Sequence, residues 1–258
     1  MIIHRNIEQN TEAWHKLRHG KLTASDFKSL ITEKTQKIAS NTKIKDLAYK
    51  KAVETIFNYK EWEEANEEVI FNSFDIERGH RLEPIARQEY EERTLTPVEE
   101  VGFVESDDGL LGYSPDGLVG EDGLIEIKAP RKSKHLETIF KNEVPLEHIA
   151  QIQGGLYLSG RKWLDFISYN ENCNNLKISG GRKWLDFISY NENCNNLKIS
   201  GGLIDNTDNY LENKIKIDNT CVIRVYRDEE YITKLQEVFV KYKSYLDIEL
   251  KSIKKALT

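Results

Sequence analysis

The chain is poor in cysteine, contains no long apolar run and carries no excess of positive charge. Each shortage closes off a class of protein. Its three cysteines, Cys173, Cys194 and Cys221, form no CxxC pair. A disulfide framework and a structural zinc site are therefore not expected, and free thiols in a reducing compartment are. No apolar stretch approaches the roughly 18 residues needed to span a bilayer. The opening MIIHRNIEQN lacks the basic head and apolar core of a secretory signal, so a cytoplasmic location with no membrane partner is expected. The formal net charge of −6 speaks against a DNA coat or a strongly basic binder. It leaves open an enzyme that grips phosphate with a few local Lys and Arg side chains.

What is present is the composition of a folded protein, 39% hydrophobic and 31% charged over 258 residues, a length that suits one large domain. Residues 11–30 read as a short helix, a turn at Gly20, and a second helix starting near Thr23 or Ser25. Residues 42–70 carry Leu47, Val53, Ile56, Phe57 and Trp62 at amphipathic spacing. Over 75–92, Leu82, Ile85, Ala86 and Tyr90 share a helix face with Glu83 at its edge; Pro84 suits a first turn, which places the regular helix start close to Glu83. The pattern then changes to short strands near 101–104, 110–113, 117–119 and 124–128, separated by DDG, SPDG and GEDG turns. A helix over 147–158, a strand at 222–226 and a long helix over 228–248 follow. The whole predicts an α/β fold, a mixed sheet flanked by helices. A single domain over 1–258 is expected, with an N-terminal helical part at 1–95 and a catalytic core at 96–258.

One feature belongs to none of these patterns. GRKWLDFISYNENCNNLKISG occupies 160–180 and recurs unchanged at 181–201. Solenoid repeats diverge and need several copies to bury a face, so two identical units point to a recent or engineered duplication. Each copy holds one strand candidate, Trp163–Tyr169 or Trp184–Tyr190, where a single strand is expected. One copy is expected to fill the sheet and the other to form an insert.

The chemistry is concentrated between Asp116 and Lys128. Side chains alternate along a strand, so Glu126 and Lys128 point to one side while Ile125 and Ile127 point to the other. The preceding hairpin can return Asp116 to this strand. Two carboxylates and an ammonium then meet where packing gives them no reason to be. Phosphodiester hydrolysis does give one: carboxylates can hold Mg²⁺ through hard oxygens, and a lysine can orient water and offset charge on phosphate. An exposed strand with a Glu–Lys ion pair would show the same letters, so the flanking residues matter. Glu83 can reach a second metal from its helix edge. Gln153 and Tyr157, four apart on one helix face, can hydrogen-bond a phosphate or the water. Arg18, Lys21, Thr23 and Ser25 surround a turn and helix start suited to a phosphate.

With these residues in view, the chain resembles the lambda-exonuclease or YqaJ-like viral recombinase family within the PD-(D/E)xK superfamily. The likeness runs through AWHKLRHGKLTAS at 13–25, RGHRLEPIARQEY at 78–90, SPDGLVGEDGLIEIKAP at 114–130, AQIQGGLYLSGRKW at 150–163 and IRVYRDEEYI at 223–232. It implies a restriction-endonuclease-like core and a 5′ to 3′ exonuclease acting on linear double-stranded DNA in phage-type recombination, with Mg²⁺, or Mn²⁺ as a substitute. By the same likeness Asp116, Glu126 and the carbonyl of Ile127 would be metal ligands. Lys128 would be the catalytic lysine, Glu83 would serve the second metal, and Arg18 with Ser25 would hold a 5′-phosphate. Gln151 and Gln153 both stand in the family's glutamine segment, and Gln153 is preferred for its spacing to Tyr157. The family also implies a ring-shaped homotrimer and a single-strand annealing protein as partner. Some superfamily relatives hold an iron–sulfur cluster on four cysteines, which three ill-placed cysteines do not supply. An endonuclease of restriction or repair type shares the same metal centre, and an inert DNA-binding relative is the remaining alternative.

Overall fold

The computed structural model describes residues 1–66, 74–173 and 218–258. The second repeat copy, with Cys194 and the strand expected at Trp184–Tyr190, lies outside the described residues.

The chain opens with β1 (Ile2–His4), α1 (Glu12–Arg18), β2 (Leu22–Thr23) and a 3-10 helix (Ala24–Ser29), followed by α2 (Asn41–Ile56), α3 (Tyr59–Asn66) and α4 (Phe74–Thr94). Short strands come next: β3 (Val98–Glu99), β4 (Phe103–Glu105), β5 (Leu111–Tyr113), β6 (Gly117–Val119) and β7 (Gly123–Lys128). Then come α5 (Lys132–Lys141), α6 (Leu146–Ser159), β8 (Trp163–Tyr169), β9 (Thr220–Tyr226) and α7 (Glu229–Leu257). Local chemistry fixes several starts. Thr11 and Asp228 accept the backbone N–H groups of Trp14 and Tyr231, satisfying donors that the first turns of α1 and α7 leave open.

The strands form two sheets, ordered β1-β4-β5-β2 and β3-β6-β7-β8-β9. β7 is the middle strand of the second, antiparallel to β6 and parallel to β8. A parallel neighbour needs a crossover, and α5 with α6 supply it. Because β7 is covered on both faces, it is buried from Gly123 through Ile127 and only Lys128 emerges. The first repeat copy therefore supplies a strand of the sheet: Trp163–Tyr169 pairs with β7 on one side and β9 on the other. Its buried Asp165 accepts hydrogen bonds from Tyr90 at 2.7 Å and from Arg224 at 2.7 and 2.8 Å.

The larger core cluster lies between the first sheet, one face of the second, α2, α6 and α7, and a smaller one joins α4 to the other face of β7 and β8. α6 carries two interior glycines, each costing about 1 kcal/mol relative to alanine in a free helix. Close approach explains them. A Cβ at Gly154 would stand 2.2 Å from the Phe27 ring, and one at Gly155 would stand 2.7 Å from the Tyr113 ring.

The mixed α/β architecture is as expected, with corrections in detail. α4 does not begin near Glu83; it starts at Phe74 and runs through Pro84, which forfeits one backbone hydrogen bond in mid-helix. Pro84 and Ile85 lie on the exposed side, so the buried face is Leu82, Ala86 and Tyr90 only. The buried face of α2 is Ile44, Ala48 and Ala52, whose two alanines let α7 pack alongside, while Phe57 is exposed. The second helix near Thr23 is a single 3-10 segment. β1, β2, β3 and α5 fall outside the expected elements, and α7 extends past residue 248 to Leu257. Among the described residues no helix is long and apolar enough to cross a membrane.

Candidate active site

The alternation of β7 sets the centre. Glu126 and Lys128 stand on one side of the strand, and the Lys128 ammonium donates to Glu126 Oε1. Glu126 is 1% exposed, an expensive place for a carboxylate unless its oxygens are satisfied. Gln151 Nε2 from α6 also donates to Oε1, at 2.6 Å, and the buried Tyr113 hydroxyl donates to Oε2 at 3.2 Å. Asp116 sits in the turn between β5 and β6. β6 begins at Gly117 opposite Ile125, so on that edge the Ile127 N–H has no β6 partner and donates to Asp116 Oδ2 at 2.5 Å. In a strand the N–H and C=O of one residue point to the same edge, which aims the Ile127 carbonyl to the Asp116 side as well.

Glu83 reaches the same place from α4. Glu83, Asp116, Ile127 and Lys128 line one cleft of about 600 Å³, together with His80, Arg78, Arg131, Lys134 and His148. The carboxylates feel one another. Burial pushes Asp116 well above the usual carboxylate range, with Glu126 and Glu83 adding to the shift. Burial raises Glu83 too; Arg87 opposes it and Glu126 reinforces it. Burial alone would depress the Lys128 ammonium, but Glu126, Asp116 and Glu83 outweigh it, so Lys128 holds its proton more tightly than an ordinary lysine. His148, stacked on Phe166, is kept neutral by burial and by Lys128, down to about 3.

Among the described residues no three His, Cys, Asp or Glu side chains converge closely enough to enclose an ion. What the end of β7 offers is a set of hard oxygens, the Asp116 carboxylate and Ile127 carbonyl at the cleft and the Glu126 carboxylate buried beneath it, with Lys128 among them. That donor set fits Mg²⁺, which is bound through one or two carboxylates and keeps several waters.

Two expected residues are placed elsewhere. Gln153 is buried on the far side of α6, where Nε2 donates to the Tyr226 carbonyl at 2.9 Å and Oε1 accepts from Asp228 N at 2.9 Å. It pins α6 to the β9–α7 junction, and Gln151 takes the place beside Glu126. Tyr157 faces Phe239 of α7 and lines a different cavity.

Arg18, Thr23 and Ser25 do share a cavity, of about 560 Å³, with His15, His19, Lys51, Tyr59 and Trp62. Arg18 stacks on Trp14, and its Nη1 donates to Ser114 Oγ at 2.9 Å. Among the described residues no carboxylate comes within ion-pair distance of it, although burial lowers its proton affinity. Lys51, by contrast, is matched by Glu54 and Asp26. Thr23 Oγ1 meets Ser25 Oγ and donates to Asp26, both at 2.9 Å. Tyr113 and Ser114, to which the sequence assigns no site role, lie just before Asp116 in the same YSPD motif.

The fold and cleft define a mixed-sheet α/β protein with a PD-(D/E)xK-like core. More narrowly, the chain belongs to the YqaJ-like viral recombinase domain family, whose model matches residues 13–162. Among solved structures it is similar to an alkaline exonuclease, LHK-Exo, from Laribacter hongkongensis, with TM-score 0.66 and 25% identity over 96% of this chain and 98% of that one. LHK-Exo in complex with dAMP matches at TM-score 0.65 and 26% identity, covering 96% of this chain and 98% of that one. A phage-related exonuclease from Haemophilus somnus 129PT shares the fold at TM-score 0.57 and 15% identity, over 93% of this chain and 99% of that one. No curated protein sequence matches the chain.

Proposed function

We propose that this chain is a divalent-metal-dependent deoxyribonuclease that digests linear double-stranded DNA from an end, in the 5′ to 3′ direction, during phage-type recombination. Family membership and likeness to exonuclease folds support a nuclease-type, DNA-processing function. The observation that carries the finer reading is the meeting of Asp116, Glu126 and Lys128 at the end of β7, where Lys128 contacts the buried Glu126 and opens with Asp116 on one cleft.

Asp116, Glu126 and the Ile127 carbonyl would hold Mg²⁺ or Mn²⁺, with Glu83 serving a second ion. The metal, when bound, polarises the phosphate and lowers the pKa of the attacking water. Lys128, held protonated by its carboxylate neighbours, donates to the phosphate oxygens and offsets their growing negative charge. Gln151 and Tyr113 hold the Glu126 carboxylate in one orientation. Arg18, a cation with no carboxylate at ion-pair distance among the described residues, would serve as an anion site and, with Ser114 and Ser25, take the 5′-phosphate of the end being digested. The homotrimer and the single-strand annealing partner belong to the same proposal.

The test is incubation with Mg²⁺ and linear duplexes carrying defined ends, beside a covalently closed circle. Nucleotides released from 5′-phosphorylated linear ends and an untouched circle are expected. Cleavage of the circle would replace this reading with an endonuclease, and no cleavage of any substrate would leave an inert DNA-binding relative.

A further inference from the structure

We infer that Arg87 is a positioning residue for the acidic centre, setting the distance between Glu83 and the turn that carries Asp116. The inference rests on the metal-dependent hydrolysis proposed above and concerns how that site is held.

Arg87 lies one helical turn beyond Glu83 on α4. Its Nη2 donates to Glu83 Oε1 at 2.6 Å, and its Nε donates to the main-chain carbonyl of Asp116 at 3.1 Å. Its Nη1 pairs with Glu100 Oε2 at 2.7 Å. Three donors of one planar group are thus committed to α4, to the β5–β6 turn and to the segment between β3 and β4. Arg87 does not line the cleft that contains Lys128. It lines a second cavity of about 540 Å³ behind Glu83 and Asp116, and so reaches the centre from the back.

The three contacts differ in worth. Glu100 is 70% exposed, and a pair with one partner in water contributes little. The other two are sheltered, since the Arg87 side chain is only 12% exposed. Asp116 is held by its carbonyl, which leaves its carboxylate to the cleft and the Ile127 N–H. Glu83 is held by one oxygen, and no hydrogen bond to Oε2 is seen among the described residues. A lysine would keep the charge but could not span α4 and the turn, because its ammonium is a single point while the guanidinium is a rigid fork. Groups that orient metal-binding side chains from behind matter to affinity about ten- to a hundred-fold.

The test compares Mn²⁺ binding, by titration with electron paramagnetic resonance, in the full chain and in Arg87→Lys, Arg87→Gln and Glu100→Gln, with melting followed in parallel. Both Arg87 variants should lose about ten- to a hundred-fold in Mn²⁺ affinity. Glu100→Gln should match the parent chain. DNA binding measured in chelator should stay unchanged in every variant, which separates positioning from a phosphate contact. In a chain already carrying Glu83→Gln, Arg87→Lys should cost less than it does alone. Unchanged or tighter Mn²⁺ binding in folded Arg87 variants would overturn the inference, as would fully additive effects. Unfolding of both Arg87 variants would also overturn it, by making the role one of stability. Failure of the parent chain itself to bind Mn²⁺ or cut DNA would instead remove the proposed function.

Discussion

Lys128 faces three carboxylates and keeps its proton, so the role proposed for it is electrostatic. Replacing it with alanine should lower cleavage at least about a hundred-fold while melting temperature and most Mn²⁺ binding persist; full activity in a folded variant would reject the assignment. Arg18→Ala should slow digestion of 5′-phosphorylated ends more than of unphosphorylated ends, and equal slowing would argue against a phosphate site. The pairing of Glu126 with Lys128 was legible because a strand's alternation leaves no other choice. The choice between Gln151 and Gln153 was not. Both stand on α6, and only the packing shows which one faces β7 and which faces the β9–α7 junction. The two should separate cleanly. Gln151→Ala should lower activity with little change in melting. Gln153→Ala leaves a half-buried carbonyl and N–H without their side-chain partner and should cost about 1 kcal/mol of stability, read in a denaturant titration.

At the scale of elements, long periodic segments were visible and short ones were not. β1 and β2 span three and two residues, too few to show a period, and exist because neighbouring strands supply their partners. Pro84 misled because a proline is read as a helix start, whereas here tertiary packing of Leu82, Ala86 and Tyr90 carries the helix through it. The duplication poses the sharper question. The copies are identical and adjacent, so removing either yields the same polypeptide, and deletion cannot tell them apart. Point changes can. Asp165→Ala breaks the buried contacts with Arg224 and Tyr90 and should cost about 3 kcal/mol, low for a buried pair because Arg224 is 44% exposed. Asp186→Ala, the matching change in the second copy, should leave the unfolding midpoint unmoved if the first copy alone serves the sheet. Equal losses from the two would mean that both copies are structural.

For the molecule as a whole, the centre is an electrostatic load. Burial and neighbouring carboxylates raise the proton affinity of Asp116 and Glu83, so keeping both charged opposes folding, and the proposed divalent cation would relieve them. A non-catalysing ion such as Ca²⁺ should therefore raise the melting temperature, by about 2.7 kcal/mol of stability at a hundredfold excess over its Kd, and chelator should reverse the gain. In the Asp116→Asn chain the gain should shrink; an identical shift would place the ion elsewhere.

The bare backbone of Gly155 has a reach that its position hides. It leaves room for the Tyr113 ring, whose hydroxyl steadies Glu126. A single methyl group added there would press on that ring and carry through it to the carboxylate. The contour of the cleft is thus moulded in part from outside it, by an atom that is missing.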